Sequence, residues 1–249
     1  MTQDITDQLR LPDGSFLTYH KIRGRSPTIL FLHGFRSDRH GVKTTHLAEF
    51  CRQTGRAFVA FDHFGHGDSS GTFIEGTISR WRQDAQHICD ALVEDTALVV
   101  GSSMGGWVSV LLALDRPQKI MGMVGLASAP DFTQRLIEPN LSNDQIQQLQ
   151  DQGKCYLPSL YGDPYPVTKA LLEDARQNLV LSNALPLHIP LHLIHGTQDS
   201  DVPWEESFCL LQKAHTQNAR LTLIKGGDHR LSRQEDLVAL CAVVEQMTV

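Results

Sequence analysis

The sequence predicts an α/β protein, with a mostly parallel central sheet entered through an antiparallel hairpin and helices on both faces. Three observations carry that prediction. Two alternating segments flank Pro12-Asp13-Gly14-Ser15 near the N-terminus, and after them short apolar runs alternate with helix-period stretches. The 249 residues, 41% of them hydrophobic, are also enough to bury a large core without a disulfide or metal staple.

The elements follow in order. Ile5–Leu11 and Phe16–Ile22 read as the hairpin, because polar and apolar residues alternate on both sides of a turn sequence. Thr28–Leu32, Phe58–Phe61, Ala97–Val100, Ile120–Leu126, Leu191–Ile194 and Leu221–Ile224 are short and continuously apolar, as strands buried on both faces of a parallel sheet must be. Between them Ile78, Trp81, Ala85, Ile88 and Leu92 repeat at spacings of three and four, one stripe of an amphipathic helix. Leu98 to Leu114 is apolar enough to test as a membrane span. It falls short of about 20 residues and carries Gly101, Ser102, Ser103, Gly105 and Gly106, so a buried strand leading into a buried helix explains it. The last helix holds Leu237, Leu240, Cys241, Val244 and Met247 on one stripe, with Ser232 and Glu235 as its expected capping box.

The rhythm breaks once. Residues 131–190 contain no clear strand, a polar helical stretch at Ser142–Gln150, a loop rich in proline and tyrosine at Tyr156–Pro166, and a second helix at about Thr168–Val180. An excursion of about 60 residues inside a regular alternation predicts a cap over a site. It divides the core into 1–130 and 191–249. Leu136, Ile137, Leu157, Leu160 and Tyr161 are its candidate apolar walls.

Lys and Arg number 22 against 28 Asp and Glu, a formal charge of −6, and no basic patch is present; a nucleic-acid partner is not expected. The five cysteines lie far apart and in no C-x-x-C spacing, which suits reduced thiols. Met1 to Ile5 lacks the basic and apolar regions of a secretory signal and the Arg- and Ser-rich character of a transit sequence. The expectation is a cytoplasmic protein with no stable membrane insertion. Its oligomeric state is left open.

The strongest chemical motif is Gly101-Ser102-Ser103-Met104-Gly105, directly after the strand Ala97–Val100 and before an apolar helix. It matches G-x-S-x-G. A strand that turns sharply into a helix strains its apex residue, and only small neighbours two positions away let the chains pass. Ser103 is that apex. Ser102 is not, since Val100 and Met104 flank it at the positions where the motif needs glycine.

A serine hydroxyl needs a base and an orienting carboxylate, in the chain order Ser, acid, His for this arrangement. The run Leu191–Ile194 leads into His195-Gly196-Thr197-Gln198-Asp199, and Leu221–Ile224 into Lys225-Gly226-Gly227-Asp228-His229. Asp199 is preferred to Asp201, which lies where an acidic residue would support a helix N-terminus. His229 alone among 12 histidines combines a late position, a strand end and a Gly-Gly turn. His188, His192 and His195 read as packed or solvated. The oxyanion donors expected are the backbone N–H groups of Met104, after the nucleophile, and Phe35, in His33-Gly34-Phe35 after the strand Thr28–Leu32.

Asp62-His63-Phe64-Gly65-His66-Gly67-Asp68 superficially resembles a metal cluster. Its interleaved glycines do not give a helical ligand pair, and a turn in which Asp62 bonds its own loop explains it better. No metal and no cofactor are expected.

With these residues in view, the chain resembles the α/β-hydrolase superfamily. It is most similar to the subgroup of the mitochondrial α/β-hydrolase-domain-containing protein ten. The matching strings are Gly101-Ser102-Ser103-Met104-Gly105-Gly106-Trp107, Phe61-Asp62 with Gly65 and Gly67, Ser79-Arg80-Trp81-Arg82, Val202-Pro203-Trp204 and Asp228-His229-Arg230. The resemblance implies catalytic roles for Ser103, Asp199 and His229. It also implies hydrolysis of esters and thioesters, of the palmitoyl-thioester or acyl-glucuronide type, on a small-molecule or acylated-protein substrate. One departure is His33, where that subgroup places proline. The same triad serves C–C bond hydrolases and peptidases, and the fold also occurs in non-catalytic binding proteins, so these remain the alternatives.

Overall fold

The computed structural model describes residues 4–159 and 162–248. In chain order the elements are β1 (Asp4–Arg10), β2 (Phe16–Ile22), β3 (Arg25–Leu32), α1 (Val42–Thr54), β4 (Arg56–Phe61), α2 (Ile78–Leu92), β5 (Ala97–Ser102), α3 (Met104–Asp115) and β6 (Ile120–Leu126). They continue with α4 (Asn143–Gln152), β7 (Lys154–Leu157), β8 (Tyr165–Thr168), α5 (Lys169–Ala175), β9 (Leu191–Gly196), α6 (Glu205–Lys213), β10 (Ala219–Ile224) and α7 (Gln234–Met247). Eight strands form one sheet in the order β1-β2-β4-β3-β5-β6-β9-β10. The N-terminal hairpin is antiparallel and joins β4 antiparallel, and every later pairing is parallel.

The continuous apolar runs have the expected cause. Successive side chains of a strand point to opposite faces, so a strand covered on both sides is apolar at every position. Ile29 and Phe31 of β3 face α1 and α7 with Leu47, Cys51, Leu240 and Val244. Leu30 and Leu32 face α2 and α3 with Trp81, Ile88, Trp107 and Leu111. Parallel strands also send all their carboxyl ends to one edge of the sheet, where ligands of open α/β sheets bind. From β3 the chain crosses to β4 on one side and later to β5 on the other, so the crevice lies between the ends of β3 and β5.

Residues 131–190 contribute nothing to the main sheet among the described residues. Asp131, almost fully buried, accepts hydrogen bonds from Val180 N and Leu181 N at 2.9 and 2.8 Å, which ties the start of this excursion to its end. Trp107 Nε1 donates to Asn178 O at 3.0 Å, and Asp174 accepts from Ser79 N at 2.8 Å, fastening it to α3 and α2.

Four expectations are corrected. The run Leu221–Ile224 is not buried on both faces, because β10 is the edge strand of the sheet and leaves Leu223 42% exposed. The excursion does contain strands, since β7 and β8 form an antiparallel pair. The helix expected over Thr168–Val180 stops at Ala175, because the Asn178 side chain bonds Ser79 Oγ and Asp174 O instead of facing solvent. The Ser232–Glu235 capping box does not form at α7: Arg233 is the N-cap, its N–H donates to the Asp236 carboxylate at 3.0 Å, and Ser232 lies one residue too early and bonds Arg230 O. Leu160 and Tyr161 lie outside the described residues.

Candidate active site

Ser103 stands between the end of β5 and the start of α3 with φ 53° and ψ −118°, a conformation that costs a non-glycine residue about 1–3 kcal/mol. Packing holds it there. A methyl group on Gly101 would lie 2.3 Å from Gly105 O, and one on Gly105 would lie 2.2 Å from Leu32 O, so neither flanking position can carry a side chain. The Ser103 backbone is pinned from N to O, with its N–H donating to Leu126 O at 2.9 Å and its carbonyl accepting from Gly106 N and Ala129 N.

Two further strand ends bring side chains to this hydroxyl. His229 Nε2 lies 3.1 Å from Ser103 Oγ, and His229 Nδ1 lies 2.8 Å from Asp199 Oδ2. A carboxylate only accepts, so Nδ1 carries the hydrogen and Nε2 presents its lone pair to the serine. The Asp199 side chain is fully buried, while that of His229 is 18% exposed and reachable by substrate. Burial raises the Asp199 pKa, but hydrogen bonds from His195, His229 and Val202 N outweigh it and hold the carboxyl well below its usual range. Asp201 is exposed and gives this site its backbone N–H, which donates to Asp199 Oδ1 at 3.0 Å. Asp199, Asp201 and His229 bring ligand-type atoms within 4.8 Å of one another, but both Asp199 oxygens are already engaged by hydrogen bonds.

The loop after β3 lies against the elbow. A methyl group on Gly34 would stand 3.1 Å from Ser103 Cβ. The Gly34 carbonyl is fixed by His33 Nδ1 at 2.8 Å and Ser37 N at 3.2 Å. A trans peptide is planar, so pinning that oxygen sends the Phe35 N–H to the opposite side. His33 Nε2 accepts from His63 N, and His66 Nε2 accepts from Arg36 N at 3.3 Å. Both rings serve as acceptors and must be neutral. Burial is the leading cause that pushes His33 down to about 4 and His66 down to about 3. Met104, also named for its N–H, opens α3 directly after Ser103.

Sequence reading did not find the work of these two histidines or of His195. A hydrogen-bond acceptor on a ring nitrogen leaves no pattern in the chain. The string Asp62–Asp68 is knitted into its own loop as expected, with Asp62 accepting from Asp68 N at 2.9 Å; it also accepts from Arg39 N and pairs with the Arg39 guanidinium.

Residues 131–190 meet this loop through aromatic rings. The Phe35 ring contacts Phe132 at 5.5 Å and Tyr165 at 5.8 Å between centroids, along with Phe73 and Trp81. Beside Tyr165 lies a cavity of about 460 Å³ lined in part by Leu136, Ile137 and Leu157.

A family model described as serine aminopeptidase, S33 matches residues 25–155. The mitochondrial palmitoyl-protein thioesterase ABHD10 of mouse is 32% identical over 235 residues, covering 93% of this chain and 78% of that protein. The chain belongs to the α/β-hydrolase family. Within it, this α/β-hydrolase is an enzyme of the ABHD10 type, with the human protein 31% identical over 96% of this chain and 78% of its own length. Among solved structures, a hydrolase from Agrobacterium vitis S4 superposes with TM-score 0.93 at 34% identity, covering 100% of this chain and 99% of that one. Mouse α/β-hydrolase domain-containing protein 10 gives 0.91 at 30% identity, with 98% of each chain covered.

These relatives overturn the cytoplasmic expectation. The curated ABHD10 proteins of mouse, cattle and human are named as mitochondrial. Its five cysteines are all free. No helix of the described residues is long and apolar enough to cross a membrane.

Proposed function

We propose that this α/β-hydrolase cleaves acyl esters and thioesters through an acyl-enzyme on Ser103, with His229 as base and Asp199 as its orienting acid. The observation that carries the reading is the unbroken line from Asp199 Oδ2 through His229 to Ser103 Oγ, at 2.8 and 3.1 Å. Distances of this size allow proton transfer as the serine attacks. Ser103 Oγ bonds to the acyl carbon while its proton passes to His229 Nε2. The N–H groups of Phe35 and Met104 hold the oxyanion. The leaving thiolate or alkoxide departs with the proton from His229, and water, deprotonated by the same ring, then releases the acid.

Residues 131–190 act in this reading as the cap, with 1–130 and 191–249 as the core. The acyl chain lies against Leu136, Ile137 and Leu157 in the cavity beside Tyr165. The names of the curated relatives favour a palmitoyl thioester on a protein cysteine as the substrate.

A peptidase reading has one observation in its favour, the description of the matching family model. An aminopeptidase must hold an α-ammonium, which asks for a carboxylate. The polar residues described along this cavity, Asn140, Ser142, Gln145 and Tyr165, offer amides and hydroxyls and no carboxylate.

A fluorophosphonate probe with a kinetic panel tests the proposal. Wild type should label at Ser103, Ser103→Ala should not, and acyl thioesters and p-nitrophenyl esters should be turned over in preference to aminoacyl amides. An unlabelled wild type, or a fully active Ser103→Ala, would end the reading.

A further inference from the structure

We propose that His195 is a positioning residue for the Asp199–His229–Ser103 line, anchoring the Asp199 carboxylate to the rigid end of β9. The inference rests on the triad reading above. His195 is fully buried and stands four residues before Asp199. Its Nε2 lies 3.0 Å from Asp199 Oδ2 and 3.0 Å from Val202 O. Both partners are acceptors, so Nε2 carries a hydrogen. Its Nδ1 lies 2.7 Å from Ser207 Oγ on α6, and in the neutral ring it accepts that hydroxyl's hydrogen. A neutral imidazole in a single tautomer thus satisfies every polar atom of the ring.

The consequence falls on one oxygen. Asp199 Oδ2 accepts from two imidazoles, His195 at 3.0 Å and His229 at 2.8 Å, while Oδ1 accepts from Asp201 N and Val202 N. The loop amides hold one end of the carboxylate, and among the described residues His195 alone joins the other end to β9. Without that donor, Oδ2 would be placed by His229 alone, the ring it has to orient. A donor on Oδ2 also spreads the buried charge through a hydrogen-bonded chain running from Ser207 to Ser103. Besides His229, Asp201 is exposed in the same loop, and Glu206, next to Ser207 on α6, is paired with Arg135.

Three variants test this. His195→Phe removes the donor. His195→Gln returns an amide N–H near the position of Nε2. Ser207→Ala leaves the ring but releases its other side. For each, kcat and KM on a p-nitrophenyl ester are measured separately across pH, alongside a thermal melt and fluorophosphonate labelling.

His195→Phe should lower kcat about ten- to a hundredfold, the worth of one hydrogen bond to a charged group, and leave KM within about twofold. Its acid limb of kcat/KM should move to higher pH, because a carboxylate with one donor fewer pulls harder on the His229 proton. His195→Gln should restore most of kcat, and Ser207→Ala should fall between. A folded His195→Phe with unchanged kcat and acid limb overturns the inference, as does His195→Gln behaving like His195→Phe. If His195→Phe does not fold, Ser207→Ala decides, and wild-type kcat and pH profile there overturn it. A wild type that fails to label at Ser103 sinks the triad reading itself, whereas a labelling wild type with an indifferent His195 sinks only this step.

Discussion

Replacing Asp199 with asparagine exchanges one oxygen for an NH₂ group and leaves the side chain's shape alone. Asp199 accepts four hydrogen bonds of 2.8 to 3.0 Å, two from imidazoles on Oδ2 and two from backbone N–H groups on Oδ1. Asparagine has one oxygen, so its NH₂ must face one of these pairs. Turned toward Oδ1, it opposes the N–H groups of Asp201 and Val202 and opens the loop. Turned toward Oδ2, it donates to His229 Nδ1 and forces the hydrogen onto Nε2, the atom that must accept from Ser103. A serine hydrolase whose histidine is held in the wrong tautomer loses about 10⁴ in kcat, or about 5.5 kcal/mol of transition-state stabilisation. The assay is ester turnover at neutral pH, with a thermal melt to separate loss of fold from loss of chemistry. Asp201→Asn is the control. Its carboxylate is exposed, and its contribution to the site is a backbone N–H that survives the change, so turnover should stay within about twofold. A folded Asp199→Asn retaining a tenth of the activity, or a worse Asp201→Asn, would refute the assignment.

Ser103→Ala and His229→Ala should each lower kcat by several orders of magnitude, and the double variant should be little worse than either, because the groups act as a unit; multiplying losses in the same turnover assay would argue for separate roles. Leu157→Ala enlarges the cavity beside Tyr165 and should shift kcat/KM toward longer acyl chains, at about 1–3 kcal/mol per methylene accommodated, and an unaltered chain-length profile would remove this wall from substrate selection. Acid should destabilise the loop after β3. Burial pushes His33 down to about 4 and His66 down to about 3 in the fold against 6.5 unfolded, so the unfolded chain takes up more protons as pH falls below 6.5, and stability drops from there to about pH 3. His33→Gln with His66→Gln should flatten the fall of Tm over that range, and an unchanged slope would place the acid sensitivity elsewhere.

What could be read from the sequence divides along physical lines. Five buried strands and the elbow were legible because each rests on local sterics: alternation on two covered faces, and glycines where a side chain would stand 2.2 or 2.3 Å from backbone. The strands β7 and β8 were missed because they are four residues each and Pro166 interrupts the pattern, which a two-stranded edge tolerates. The overlong helix before residue 180 failed for a tertiary reason, since propensity carries no information about Asn178 turning to meet Ser79. Asp199 and His229 were chosen from their strand ends, which reports where the fold delivers a side chain and nothing about what else it will touch.

His195 shows the cost of that limit. It lies four residues before Asp199, a spacing that means proximity on a helix and none on a strand leading into a loop. Contact arises because Asp199 accepts from the N–H groups of Asp201 and Val202, and the turn so formed brings its carboxylate back over the end of β9. The same holds for His33 and His66, whose acceptor atoms are defined by backbone N–H groups contributed by other parts of the loops. Buried neutral imidazoles cost little desolvation and offer one donor and one acceptor, which is what a site made of strand-end loops needs to become rigid. Asp199 and the loop after β3 are both braced in this way. The positions of Asp199 Oδ2 and of the Phe35 N–H therefore depend on rings that need never touch the substrate.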